Sequence, residues 1–547
     1  MRPTLLAVLV ALIAPSAAHA APGVRSARFG MDVPPAAAAA HSAPGGFITP
    51  PLRAQRRFDL VGADWRAGAG ALWLRGRRSA GHWSRWVRLG ASEEPSRSRA
   101  RHATEPVWAG GDDLVQLRGS RPLSGLHLSF VNAHVPAATS AAVRMSQLQL
   151  PTGGQLAITP RAGWGASRCK PRRTAGYGTV DLAFVHHTDT LSGYRRSESP
   201  SVVLGVCLFH RNVNRWNDIG YNFLVDRYGQ VFEGRAGGIE APVVGAQAGG
   251  FNLFSTGVAA IGDFTARRFS ATGVSSLARL LAWKLSLIGV PAEGSVTVPS
   301  DGGPFTRYPP GAPVTLNRIA GHRDADQTSC PGNALYAQLP GLRTQVARLE
   351  GPVSRLDLAA PQPRLLYPQP LAFSGRLTPA SGLAIPPGAT VELRDRLAGG
   401  TGRVLATLPL APDGSFSGSL QLVHDDVIQA TFAGGGGLPR LVSGVVLAGV
   451  APALTLQTSA GSVPAHSTVV LSGAVTPPKG RLTLDEQELR GGRFRRVRTL
   501  KLKAKNGAFS VTVGLNRAGS FRFVARTPGS NVADPGASAP VEVQVTG

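Results

Sequence analysis

The sequence predicts a multidomain chain, with one α/β domain in the middle and β-rich modules on both sides. Its 547 residues exceed what a single core holds, which is about 250–300 residues. Between 155 and 350, strand-like runs alternate with helix-spaced apolar stripes, the pattern of an α/β domain. On either side, short alternating runs are separated by turn residues, as in β-sandwiches.

Residues 1–20 read as an export signal. Arg2 provides a positive start, Leu5 to Ile13 a short apolar stretch, and Ala18-His19-Ala20 a small-residue cleavage site. That stretch is too short to span a bilayer, and no later run is long and apolar enough, so the expected location is secreted, with no transmembrane segment. Residues 21–45 are rich in Ala, Pro and Gly and read as a flexible linker.

Residues 46–150 break into runs such as Ala71–Arg75, Trp83–Leu89, Leu114–Leu117 and Leu126–Val131, giving an N-terminal β-sandwich. Trp83 and Trp86 can stack on sugar rings, although core or rim packing uses tryptophans too.

In the central domain, Leu182, Phe184 and His186 share one face of a buried strand. Residues 200–213 run at helical spacing, and Tyr221 to Phe232 reads as a hairpin turning at Asp226–Gly229. A helix fills Ser270 to Gly289, capped by Ser270 and ended by Gly289 and Pro291. A helical pair follows from Ala334 to Leu349, and the Pro/Gly-rich stretch Ala292–Pro313 is an insertion that could form a lid.

After Gly351 an internal repeat appears. Leu371–Pro379 matches Val469–Pro477, and Asp413–Ser417 matches Asn506–Ser510. Asp-Gly or Asn-Gly between alternating runs is a hairpin signal, because the turn needs positive φ. Residues 352–450 and 451–547 therefore read as two Ig-like β-sandwiches, spacers or wall adhesins with nothing catalytic in them.

Three cysteines argue against a disulfide-stapled scaffold. Cys169 and Cys207 can form one bridge in an oxidising compartment or remain two buried thiols; spacing does not decide. The formal net charge of +26 favours polyanions, anionic wall polymers among them, although scattered arginines also fit a solvated surface. No compact basic block with interleaved aromatics suggests nucleic acid.

The chemistry concentrates in His186, in D-L-A-F-V-H-H-T, and in His322 and Cys330, in G-H-R-D-A-D-Q-T-S-C-P-G. Two imidazoles and a thiolate make three of the four ligands zinc (Zn2+) prefers, leaving a fourth position for water, the pattern of a hydrolase. Asp324, two residues past His322, is a candidate outer partner for a ligand, or else a loop salt bridge with an arginine. His187 follows His186 on a strand, so its side chain faces the other way and is left out.

Six segments then occur in a familiar order: Arg161–Ala166, Phe184–Thr188, Trp216–Val225, Glu233–Arg235, Gly245-Ala246 with Gly250–Asn252, and Gly321–Asp324 with Cys330–Gly332. Over about residues 156–350 the chain resembles the zinc-dependent N-acetylmuramoyl-L-alanine amidases of the peptidoglycan-recognition-protein superfamily. The resemblance implies a mixed central sheet packed by helices, a zinc at one end of a groove, and a peptidoglycan stem in that groove. It carries the metal ligands onto His186, His322 and Cys330. It implies a catalytic tyrosine at Tyr221 and an oxyanion donor at Thr328. It also implies a groove-lining histidine at His210, for which a core position is the other reading, with Asn214, Arg215 and Trp216 expected near the substrate.

Non-catalytic relatives typically replace the cysteine with serine, so Cys330 favours activity over a purely muropeptide-binding role. One departure is Gln247, where the family usually has a histidine. The resemblance thus implies a secreted, cell-wall-associated enzyme that cuts the bond between N-acetylmuramic acid and L-alanine.

Overall fold

The computed structural model describes residues 28–34, 46–90, 102–136, 143–190, 193–397, 402–530 and 532–547. The export signal at 1–20 lies outside them, as does most of the stretch 21–45. No helix among the described residues is long and apolar enough to cross a membrane.

The N-terminal domain is one eight-stranded sheet wrapped around its own apolar core, which includes Phe58, Leu72, Leu117 and Phe130. Two long strands, Leu52–Trp65 and Val107–Gly119, pair with breaks in register that let the sheet bend over that core. Part of the expected linker is instead structured. Arg28–Asp32 is a strand paired antiparallel with His127–Val131, and Phe29 stacks on Phe130 with ring centroids 5.0 Å apart. The far boundary also moves. Ser146–Gln149 pairs with Gln155–Thr159 across a Gly-containing turn, so it extends the central sheet and not the N-terminal one.

The central sheet runs Ile319–Gly321, Leu182–His187, Ser255–Ala260, Phe223–Val225, Val231–Glu233, Gln155–Thr159, Ser146–Gln149. Its pairings are mixed. Leu182–His187 is parallel to both neighbours, whereas Phe223–Val225 and Val231–Glu233 form the antiparallel hairpin. Every residue from Leu182 to His187 is buried, because both faces of the sheet are covered. On one face lie the Ala271–Ile288 and Leu339–Glu350 helices. Ser270 Oγ accepts the Gly273 N–H at the start of the longer one, and Gly289 at φ 78° ends it.

The other face takes the Ser199–Asn212 helix. That helix is tied to the preceding loop by a Cys169–Cys207 disulfide, with Cα atoms 6.3 Å apart. It also shares one apolar cluster with Leu60, Trp108, Val131 and Val135 of the N-terminal domain. The N-terminal domain is thus packed onto the central one.

Beyond Gly351, each repeat contains two sheets around its own core. Equivalent strands pair in both: Leu371–Thr378 with Ser415–Leu420, and Ser467–Thr476 with Ala508–Leu515. The turns behave as their sequences require, with Gly414 at φ 83°, Asn506 at 50° and Gly507 at 84°. The first repeat docks on the central domain. Arg440 holds the Glu240 carboxylate at 2.7 and 3.0 Å, and Val442 joins the central core.

Candidate metal centre and groove

Parallel pairing puts the three expected ligands together. Val185 is in register with Gly321, so the next residue on each strand, His186 and His322, leaves the sheet side by side at its carboxyl edge. Their ring centroids are 4.5 Å apart. Cys330 returns from the loop, with Sγ 3.6 Å from His186 Nδ1 and accepting the His187 backbone N–H at 3.4 Å. Ligand atoms of all three residues lie within 4.8 Å of one another, and all three residues are buried. Gly332 shapes this loop: at φ 87° it passes so close to the Phe264 backbone that a Cβ would meet it at 2.4 Å.

Each imidazole is oriented from behind. His186 Nε2 is 2.5 Å from Gln247 Oε1, and the Gln247 amide in turn donates to Ser255 Oγ at 2.9 Å. His322 Nε2 is 2.8 Å from Asp326 Oδ2, which also accepts the Gly249 N–H at 2.6 Å. With both Nε2 atoms engaged, the Nδ1 atoms are those that would ligate. Two oriented imidazoles and one thiol in a buried pocket fit zinc.

The outer carboxylate is therefore Asp326, and the expectation at Asp324 is corrected. Asp324 Oδ2 accepts the Gly321 N–H at 2.9 Å and Oδ1 the Tyr336 hydroxyl at 2.6 Å. The reason is the turn that starts at His322. Asp326 N–H donates to His322 O, which brings residues four apart to one face and turns the residue two along away.

A groove of about 310 Å³ opens over the cluster. His210, Trp216, Tyr221, Thr328 and Gln247 line it. Tyr221 sits between two imidazoles, its ring 5.3 Å from His186 and 5.6 Å from His210. His210 is buried against Trp216 at 4.4 Å, and its Nδ1 accepts the Gly220 N–H at 3.1 Å. Thr328 Oγ1 accepts the Cys330 N–H at 2.9 Å. Asn214 and Arg215 do not line the groove; Arg215 points outward at φ 66° in the turn after the helix.

The insertion 292–313 forms a hairpin between Ser295–Pro299 and Pro313–Asn317, and it braces the metal loop in place of a detached lid. Thr306 Oγ1 donates to Ala325 O, Arg307 donates to the Arg323 and Asp326 carbonyls, and Gln327 N donates to Phe305 O. Pro304 and Phe305 form one wall of the groove. Glu105 and Gly90, from the N-terminal domain, and Asp189 line it as well.

On the N-terminal domain, arginines take the indole faces a sugar would need. Arg75 and Arg77 sit 4.9 and 4.8 Å from the Trp83 ring, and Arg75 and Arg118 sit 4.6 and 5.3 Å from that of Trp86.

Residues 176–333 match the family model of N-acetylmuramoyl-L-alanine amidase, Amidase_2. Residues 24–146 match one described as Rv3811 N-terminal galactose-binding domain-like. The N-acetylmuramoyl-L-alanine amidase of Mus musculus is 28% identical over 188 residues, 33% of this chain and 29% of that protein. Peptidoglycan-recognition protein LE of Drosophila melanogaster is 28% identical over 183 residues, 34% of this chain and 45% of that protein. The chain thus spans less than half the length of either relative. Among solved structures, Drosophila PGRP-LB is 24% identical with a TM-score of 0.27, covering 33% of this chain and 91% of its own. Peptidoglycan recognition protein-LE in complex with tracheal cytotoxin is 28% identical with a TM-score of 0.26, covering 34% and 92%.

Proposed function

Because the central domain of this chain belongs to the type 2 amidase and peptidoglycan-recognition-protein superfamily, we propose that the protein is an exported, zinc-dependent hydrolase. Its substrate in this reading is peptidoglycan, and the bond cut is the amide between N-acetylmuramic acid and L-alanine. The observation that carries the reading is the cluster of His186, His322 and Cys330 at the floor of the groove, each ring held from behind at Nε2.

His186, His322 and Cys330 would hold the ion. When bound, zinc supplies an activated water and a Lewis acid for the scissile carbonyl. The chain's own groups do the rest. The His187 N–H pointing at Cys330 Sγ favours the thiolate that ligation needs. Gln247 and Asp326 fix the two ring orientations. Thr328 already accepts one N–H and can turn its proton into the groove, and the Tyr221 hydroxyl, which also lines it, can do the same. Both would donate to the oxygen that gains charge in the transition state. Trp216, Pro304 and Phe305 give the groove apolar walls against which a sugar–peptide junction can lie.

A second reading within the superfamily is a recognition protein that holds muropeptides without cutting them. Cys330 favours hydrolysis, since serine there would remove the soft ligand. Mass spectrometry of peptidoglycan digested by the zinc-loaded protein tests the choice. Release of stem peptides with free L-alanine amino termini, lost on chelation and in Cys330→Ser, supports the amidase. Binding with no released peptide supports the recognition protein, and release of disaccharides alone sinks both.

A further inference from the structure

We propose that the groove is a two-domain site, in which Glu105 of the N-terminal domain is a positioning residue for His210. This rests on the amidase reading for its consequence in turnover, but its geometry stands alone. The carboxylate that faces His210 Nε2 comes from the N-terminal domain, more than a hundred residues away in sequence.

The docking between the two domains is rigid enough to position a side chain. Leu60, Trp108, Val131 and Val135 share an apolar core with the Ser199–Asn212 helix. The backbones meet closely: a Cβ on Gly205 would lie 1.9 Å from Leu60 Cδ1, and one on Gly62 would lie 2.6 Å from Phe209 Cζ. Polar contacts fix the register. Arg168 donates to the His134 carbonyl at 2.7 Å, Val135 N–H to Ser201 Oγ at 2.9 Å, and Arg28 to the Asn212 carbonyl at 3.0 Å. Glu105 itself is pinned through its N–H to Gly90 O at 3.0 Å, and both residues line the groove.

His210 is set up to receive it. Its Nδ1 accepts the Gly220 N–H, so the neutral ring carries its proton on Nε2. Nε2 faces Glu105 Oε2 at 3.9 Å, in a place where the histidine side chain is 2% and the glutamate side chain 16% exposed. That distance suits an ion–dipole or water-bridged contact, and catalytic hydrogen bonds often tighten only when substrate binds. His210 in turn packs on Trp216 and Tyr221, and Tyr221 on His186. Glu105 thus faces the Nε2 proton that the Gly220 contact leaves on His210 and holds the tilt of a ring that supports the tyrosine over the metal centre.

The test uses the full-length, zinc-loaded protein and a soluble disaccharide muropeptide. Glu105→Gln is expected to lower kcat by about 10- to 100-fold, the usual size of an orienting-partner effect, with zinc content and Tm unchanged. Glu105→Asp should recover part of the loss. In a double-mutant cycle, Glu105→Gln should add almost nothing to His210→Ala. ¹⁵N spectra of the histidine rings give a readout independent of turnover: Glu105→Gln should shift the His210 ring nitrogens and leave those of His102 in place. Wild-type kcat together with unchanged His210 resonances in Glu105→Gln, or full additivity with His210→Ala, overturns the proposal. If the wild-type protein releases no stem peptide but Glu105→Gln still moves the His210 signals and weakens muropeptide binding, the amidase reading falls and this one stands.

Discussion

Asp326 Oδ2 lies 2.8 Å from His322 Nε2, four residues along the chain and one helical turn away, and the same carboxylate accepts the Gly249 N–H. Gly249 lies two residues past Gln247, so one side chain ties the metal loop to the segment holding Gln247. Asp326→Asn keeps the size but leaves an amide that can present either donor or acceptor to the ring. Zinc affinity, read by competition with a chelator, is expected to fall about 10- to 100-fold. Asp324→Asn should leave that affinity near wild type and cost stability instead, because it loosens the Tyr336 hydroxyl and the Gly321 N–H. Equal zinc loss in both variants would contradict the assignment.

The disulfide makes a separate prediction. Cys169–Cys207 closes a loop with a sequence separation of 38 and anchors the helix that carries His210. Replacing both cysteines with serine should lower unfolding stability by about 2–4 kcal/mol. Zinc stoichiometry should remain at one, since neither sulfur belongs to the His186 cluster. Chemical denaturation and metal analysis of the double variant check the two halves independently.

How much of this could be read from the sequence depended on range. His186, His322 and Cys330 were readable because their residue types suit one metal and their flanking motifs resemble a family; parallel register then explains their meeting. Ser270 and Gly289 were readable because caps are local chemistry. Asp326 was within reach, since it stands at i+4 from His322, but Asp324 stood closer in sequence and the turn geometry decides between them. Arg28–Asp32 was hidden by its Ala- and Pro-rich surroundings, because its partner strand lies about a hundred residues on. The Cys169–Cys207 pairing depends on a Cα separation that no spacing reveals. Glu105 gave no signal at all: its role exists only because one domain packs on another.

That packing can be tested through a glycine. Gly205 allows the Ser199–Asn212 helix to sit against Leu60, where any Cβ would collide. Gly205→Val is expected to cost about 1–3 kcal/mol, the range for overpacking a close contact. Its effect on turnover should exceed its effect on zinc binding, because the contact joins the helix to the N-terminal domain and includes none of His186, His322 and Cys330. Activity and metal content falling in parallel would instead mean that the whole central domain had been disturbed.

Two buried groups predict how stability changes with pH. Burial raises the Glu350 carboxyl to about 8, the Ala292 N–H at 2.7 Å offsetting only part of that. In the unfolded chain a glutamate titrates near ~4.3, so between these values the folded state holds a proton that the unfolded state releases. Stability due to Glu350 is therefore fully present below that lower value and is lost as pH rises to about 8. Lys284 does the opposite. Burial lowers it to about 7, although Glu240 pulls it upward, and its ammonium donates to the Ile239, Glu240 and Ala241 carbonyls. An unfolded lysine titrates near ~10.4, so stability due to Lys284 rises as pH climbs above about 7. Urea midpoints measured from pH 5 to 10 should show a decline below pH 7 that Glu350→Gln flattens. They should also show a rise above pH 8 that Lys284→Met removes, at the cost of an overall loss because three carbonyls then lack their donor. A Glu350→Gln profile as steep as wild type between pH 5 and 7 would show that Glu350 is not the group responsible.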